Sequence, residues 1–119
     1  MRDFRDLQVW VKAHQLVQDV YVATSRFPKE EVYGLAGQMR RSAVSIPANI
    51  TEGCGRSGEA ELGRFCQIAM GSASELEYHV LLSRDLRFLE DGTFEDLRSK
   101  VEEVKRMLSS FIVTLRKGS

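Results

Sequence analysis

An all-α fold, an antiparallel up-down-up-down bundle of four helices, is what this 119-residue sequence predicts, and three features predict it. Four stretches repeat apolar residues every three or four positions. The breaks between them are short and carry the punctuation of the chain, at Phe27-Pro28, Gly53 to Gly58 and Leu89 to Gly92. No stretch alternates apolar and polar residues with the period of two that a half-buried strand requires. Short connections make sequential helices antiparallel neighbours. Residues 1–119 form one domain, long enough for a single core without disulfide or metal staples.

The first helix is expected from Leu7 to Arg26, with Asp3 or Asp6 as its N-cap. Val9, Ala13, Leu16, Val20 and Ala23 make one seam, and Trp10, Val17, Tyr21 and Thr24 a second beside it. So wide an apolar face suits a core-facing bundle helix. Phe27 is pushed out of helical geometry by Pro28. Pro28 followed by Glu30 and Glu31 then reads as the start of the second helix, proline at the first position and acids in the first turn.

That second helix, Glu30 to Gly53, organises the rest. At 100° per residue, Leu35, Met39, Ala43, Ile46, Ile50 and Cys54 form an apolar stripe, with Gln38, Arg41, Ser45, Asn49, Glu52 and Arg56 as a polar stripe beside it. Gly37, Val44, Ala48, Thr51 and Gly55 form a third face, nearly all small, on which another backbone can approach closely. A helix without a charged outer face is covered on two sides, once inside its own bundle and once by another copy. Pro47 cannot donate to the Ala43 carbonyl, which predicts a kink or a locally opened turn, with Ser45 and Asn49 bonding the loosened backbone.

Ser57 is the expected cap of the third helix, which runs to Arg87 or Phe88 with Leu62, Phe65, Cys66, Ala69, Ala73, Leu76 and Val80 as its seam. Gly71 to Ser74 makes its middle slim. Thr93 and Asp96 resemble a capping box that opens the fourth helix, Thr93 to Arg116. There Phe94, Leu97, Val101, Val104, Leu108, Phe111 and Leu115 form a heptad-like seam, and Asp96 before Lys100 and Glu102 before Arg106 support the solvent face.

Little in the chain points to catalysis or to a cofactor. His14 and His79 lack the glutamate three residues earlier that a di-metal bundle site uses, and two histidines with two widely spaced cysteines do not make a zinc site. Cys54 and Cys66 fall on apolar stripes and read as reduced core thiols. The glycines at 53, 55 and 58 spell a dinucleotide-binding pattern but follow a helix instead of a strand, so the motif is empty. No base converges on any serine. No metal, cofactor or catalytic residue is predicted, and no run reaches the length of a membrane span. The N-terminal residues carry no hydrophobic signal region, so a cytoplasmic protein is expected.

Seventeen basic residues balance seventeen acidic ones, which leaves no global field for nucleic acid or membrane. Position says more than number. In an antiparallel bundle Arg2, Arg5, Arg56, Arg64, Arg116 and Lys117 gather at one end, together with Asp3, Asp6, Glu52, Glu59 and Glu61. A ring of subunits would repeat that end around an axis and build a phosphate-binding surface.

Phe4-x-Asp6-Leu7-x-Val9-Trp10-x-Lys12-Ala13, Phe27-Pro28, Gln38-x-Arg40-Arg41, Ser45-Ile46-Pro47-x-Asn49-Ile50-x-Glu52-Gly53 and Gly71-Ser72-x-x-Glu75-Leu76 together resemble the four-helix-bundle proteins encoded by intervening sequences in bacterial 23S ribosomal RNA genes. The resemblance spans nearly the whole chain, with Thr51 where the family usually has alanine. It implies a homopentamer with a central channel and no established enzymatic activity. That family is in turn similar to the basic accessory protein of diversity-generating retroelements, which binds nucleic acid and a reverse transcriptase.

Two readings of function therefore stand side by side. One is a non-enzymatic homo-oligomer that binds RNA, DNA or a nucleic-acid-processing protein through the basic ring of Arg2, Arg5, Arg56, Arg64, Arg116 and Lys117. The other is a structural scaffold for another protein with no nucleic-acid contact, favoured by zero net charge and by the lack of aromatic residues interleaved with the basic ones. A third, enzymatic reading would need an interfacial site around Arg40, Arg41, Asn49 and Glu52. In all of them the subunit contact falls on Gln38, Arg40, Arg41, Val44, Ser45, Pro47, Ala48, Asn49, Thr51, Glu52, Gly53 and Gly55.

Overall fold

The structure, a computed structural model, describes residues 2–118. It contains four helices, α1 (Gln8–Thr24), α2 (Leu35–Cys54), α3 (Glu59–Asp85) and α4 (Asp91–Gly118), with single 3-10 turns at Phe4–Asp6 and Lys29–Glu31 and no strand among the described residues. Trp10 Nε1 donates to Thr51 Oγ1 at 3.0 Å, and Arg40 Nε to Thr24 Oγ1 at 2.8 Å, which registers α1 on α2. Ser42 Oγ lies 3.1 Å from His79 Nδ1 and Ser45 Oγ 2.8 Å from Ser72 Oγ, which registers α2 on α3. Lys105 reaches Glu77 at 3.0 Å between α3 and α4, and Lys100 reaches Asp19 at 2.7 Å to close α4 on α1. The diagonal pairs α1 with α3 and α2 with α4 do not approach. The result is a four-helix bundle 46 Å long and 23 by 20 Å across.

The seams meet in one core. All six residues of the apolar stripe of α2 and all seven of the α3 seam are buried, as are Val9, Ala13, Leu16, Val20 and Ala23 of α1. In α4 the expected position Phe111 is half-exposed, and Ile112 takes its place at 6% exposure. A straight helix drifts roughly 20° per heptad from a strict seven-residue repeat. Over the span from Phe94 that drift turns Ile112 inward and Phe111 out, where the Arg2 guanidinium lies over its ring at 5.6 Å.

The element ends differ from expectation in four places. Asp3 caps the Phe4–Asp6 turn by accepting from Arg5 N at 3.0 Å, while α1 itself begins at Gln8 without a side-chain cap. Pro28 and its acids produce only the Lys29–Glu31 turn, and α2 starts at Leu35, whose N–H donates to Glu31 Oε1 at 3.0 Å. A proline with two acids satisfies the first turn of any helix, long or short, so the signal could not set the length. Ser57 makes no cap bond. Gly58 occupies the N-cap of α3 at φ 85°, a conformation that a side chain would resist. Finally, α4 begins two residues before Thr93, and Asp96 turns to Lys100 at 2.9 Å instead of back toward the cap.

Candidate functional site

The six predicted basic residues do meet around one end of the bundle, where the N-terminus, the turn between α2 and α3, and the last turn of α4 come together. Arg2 bonds Glu59 at 2.7 Å. The Arg56 and Arg64 guanidinium groups both lie over the Phe65 ring, at 5.3 and 4.5 Å. Arg116 lines a shallow cleft with Glu59 and Arg64, and exposed Lys117 follows it. This end is not a bare cationic surface. Arg5 holds Asp3 at 3.0 Å, Arg56 holds Glu52 at 3.2 Å and Arg64 holds Glu61 at 3.0 Å. Hydrogen bonding to Arg64 keeps the Glu61 carboxyl below its usual range, and Arg5 does the same for Asp3. A phosphate arriving here competes with carboxylates already in place.

The predicted contact residues of α2 fall on three sides of the helix. Gln38, Arg41, Val44, Ala48, Glu52 and Gly55 are exposed. Arg40 leans on α1, with its guanidinium 4.6 Å over the Tyr21 ring, and Thr51 takes the Trp10 hydrogen bond. Ser45 faces Ser72 of α3, and Asn49 Nδ2 donates to the Ser45 carbonyl at 2.8 Å and to its hydroxyl at 2.9 Å. The helix runs unbroken through Pro47, which is buried. Gly53 packs inside the chain. A side-chain carbon there would come within 2.9 Å of Leu62 and Phe65, so the glycine lets α2 and α3 close on each other.

The 23S rRNA-intervening sequence protein model matches residues 5–110. The chain belongs to that family. A solved structure from Bacteroides thetaiotaomicron, described as a protein of unknown function from the S23 ribosomal protein family, superposes with a TM-score of 0.81 at 24% identity, over 87% of this chain and 94% of that one. At such identity the likeness is one of fold. None of the curated proteins matches the chain.

In this member of the 23S rRNA-intervening sequence protein family, both cysteines and His79 are buried. Cys54 and Cys66 are buried free thiols, and burial raises both, Cys66 to about 11. Such thiols are poor nucleophiles near neutral pH. His14 stacks on Trp10 at 4.9 Å. The Ser42 and His79 pair was not legible in the sequence, since the two lie on different helices 37 positions apart. Ser42 Oγ is also 3.1 Å from the Met39 carbonyl, so the carbonyl competes with the ring for its one proton. No group of three or more His, Cys, Asp or Glu side chains among the described residues is placed to hold a metal ion, and no described helix is long and apolar enough to cross a membrane.

Proposed function

We propose that the protein is a non-enzymatic, self-associating module, an antiparallel up-down-up-down bundle whose copies meet on the outer side of α2, and that it serves as a scaffold for a protein partner. The observation that carries this reading is the contrast between opposite faces. The outer side of α4 is laced with ion pairs, Arg98 to Glu95 and Glu102, Lys100 to Asp96 and Asp19, and Lys105 to Glu77. The outer side of α2 has a single ion pair, at its C-terminal end. Between its ends it exposes Val44 (41%) and Ala48, and α3, which packs against α2, exposes Ile68 (43%) and Gly71. Apolar surface next to small residues is what a close helix contact between copies uses. The family resemblance supports five copies.

The test is the mass of the purified protein across a concentration series, beside that of Ala48→Trp. The expected outcome is a multiple of 13.5 kDa for the parent and a shift toward 13.5 kDa for the variant, with helicity retained. A parent that stays at 13.5 kDa throughout would sink the reading.

A second reading, phosphate binding by the ring of Arg2, Arg5, Arg56, Arg64, Arg116 and Lys117, is favoured by their convergence at one end. It ranks below the first because four of the six are bonded to carboxylates at 2.7 to 3.2 Å. Tight binding of RNA or DNA that weakens steeply with salt would reverse that order.

A further inference from the structure

Ten charged side chains lie on α2 and α3, and eight of them have a partner. Arg40 bonds Thr24; Glu52, Glu59, Glu61, Arg64, Glu77, Arg84 and Asp85 all stand in ion pairs. Arg41 and Glu75 are the remaining two, with no hydrogen bond or ion pair among the described residues. They carry opposite signs, one on each helix. Both are exposed and both act on the same buried ring of His79, Glu75 raising its pKa and Arg41 lowering it. Arg41 adjoins Ser42 in sequence and Glu75 lies one helical turn before His79, so the two stand on either side of the Ser42–His79 contact, yet they do not pair with each other. The Arg41 guanidinium lies back along α2 over Gly37, 3.5 Å from where a side chain there would begin.

An exposed charge without a partner costs nothing in water, so position decides its meaning. On α2 Val44 lies one turn after Arg41, and on α3 Ile68 lies two turns before Glu75, with 41% and 43% of their surfaces exposed. When apolar surface of this kind is covered, a neighbouring charge loses its water and must find an opposite charge to replace it. A second copy of this chain brings both signs on the same face.

We propose that Arg41 of one copy pairs with Glu75 of a neighbouring copy, across a contact made apolar by Val44 and Ile68. This rests on the reading that the chain self-associates. The guanidinium and carboxylate can meet through two parallel hydrogen bonds, which sets the register of one copy on the next as well as attracting them.

Native mass measurement of the parent, Arg41→Glu, Glu75→Arg and the double reversal tests the pair, with circular dichroism reporting the fold of each. Neither side chain has a bond to lose among the described residues, and Arg41→Gln and Glu75→Gln, which remove the charge without reversing it, stand in should a reversal fail to fold. The expected result is an assembled parent, single reversals that dissociate toward 13.5 kDa with a dissociation constant raised at least about 30-fold, and a double reversal that recovers the parent mass. Arg98→Glu, on the ion-paired face of α4, is expected to leave the mass unchanged. An assembled parent whose single reversals keep its mass, or whose double reversal stays dissociated, overturns the pairing and leaves the assembly standing. A parent that is monomeric throughout overturns the assembly itself, and the pairing with it.

Discussion

His79 sits in the core at 5% exposure, hydrogen-bonded to Ser42 at 3.1 Å. Desolvation holds its pKa below the ordinary 6.5, with Glu75 opposing and Arg41 assisting. The unfolded chain therefore takes up a proton at a higher pH than the folded one. Stability from this residue is complete above about pH 6.5 and is lost as the pH falls through the lower folded value. The expected outcome is a thermal midpoint that drops on acidification from pH 7.5 to 5 in the parent, and drops less in His79→Gln. Equal slopes in the two would remove His79 as the cause. At this scale the apolar stripes were legible, because a periodic pattern is a local property of the chain. The bonds of Ser42 with His79 and of Trp10 with Thr51 were not, because each joins residues about 40 positions apart and depends on how two helices are set in register.

At the scale of the element, the ends of the helices were harder to read than their faces. The α2 start moved from Glu30 to Leu35, and Gly58 replaced Ser57 as the cap of α3. The C-terminal end of α3 carries the one positive φ on a non-glycine residue among those described, Arg87 at 65°. Phe88 N bonds the Ser83 carbonyl and Arg87 N the Arg84 carbonyl, both at 2.9 Å, the pattern of a helix closed by a left-handed residue. Glycine adopts that conformation without a Cβ clash. Arg87→Gly is expected to stabilise the bundle by about 0.5–1 kcal/mol, the steric relief of about 1–2 kcal/mol being offset by the extra freedom of glycine in the unfolded chain. The check is a chemical denaturation midpoint that rises with an unchanged slope. A fall would mean that the arginine side chain holds the turn through packing that outweighs the strain.

At the scale of the whole molecule, charge is sorted by face and by end. Position along the helices let the sequence anticipate that Arg2, Arg56, Arg64 and Arg116 would converge. It also placed Asp3, Asp6, Glu52, Glu59 and Glu61 at that end, but not which of them pairs with which arginine, which for Arg2 and Glu59 depends on side-chain reach between elements far apart in sequence. The consequence for nucleic acid can be put as a number. Each phosphate neutralised by a free cation contributes about 0.9 to the slope of log affinity against log salt. An arginine that must first release a carboxylate exchanges one anion for another and frees few counterions. Fewer than two effective phosphate contacts are expected per end, so affinity for labelled ribosomal RNA fragments or mixed-sequence DNA should fall less than about tenfold between 50 and 200 mM salt. Six to ten contacts would cost about 10³ to 10⁵ over that range. A slope of that size, abolished by reversing Arg56 and Arg116 together at unchanged mass, would mean that assembly turns the carboxylates away from the ring and that phosphate, not protein, is the partner.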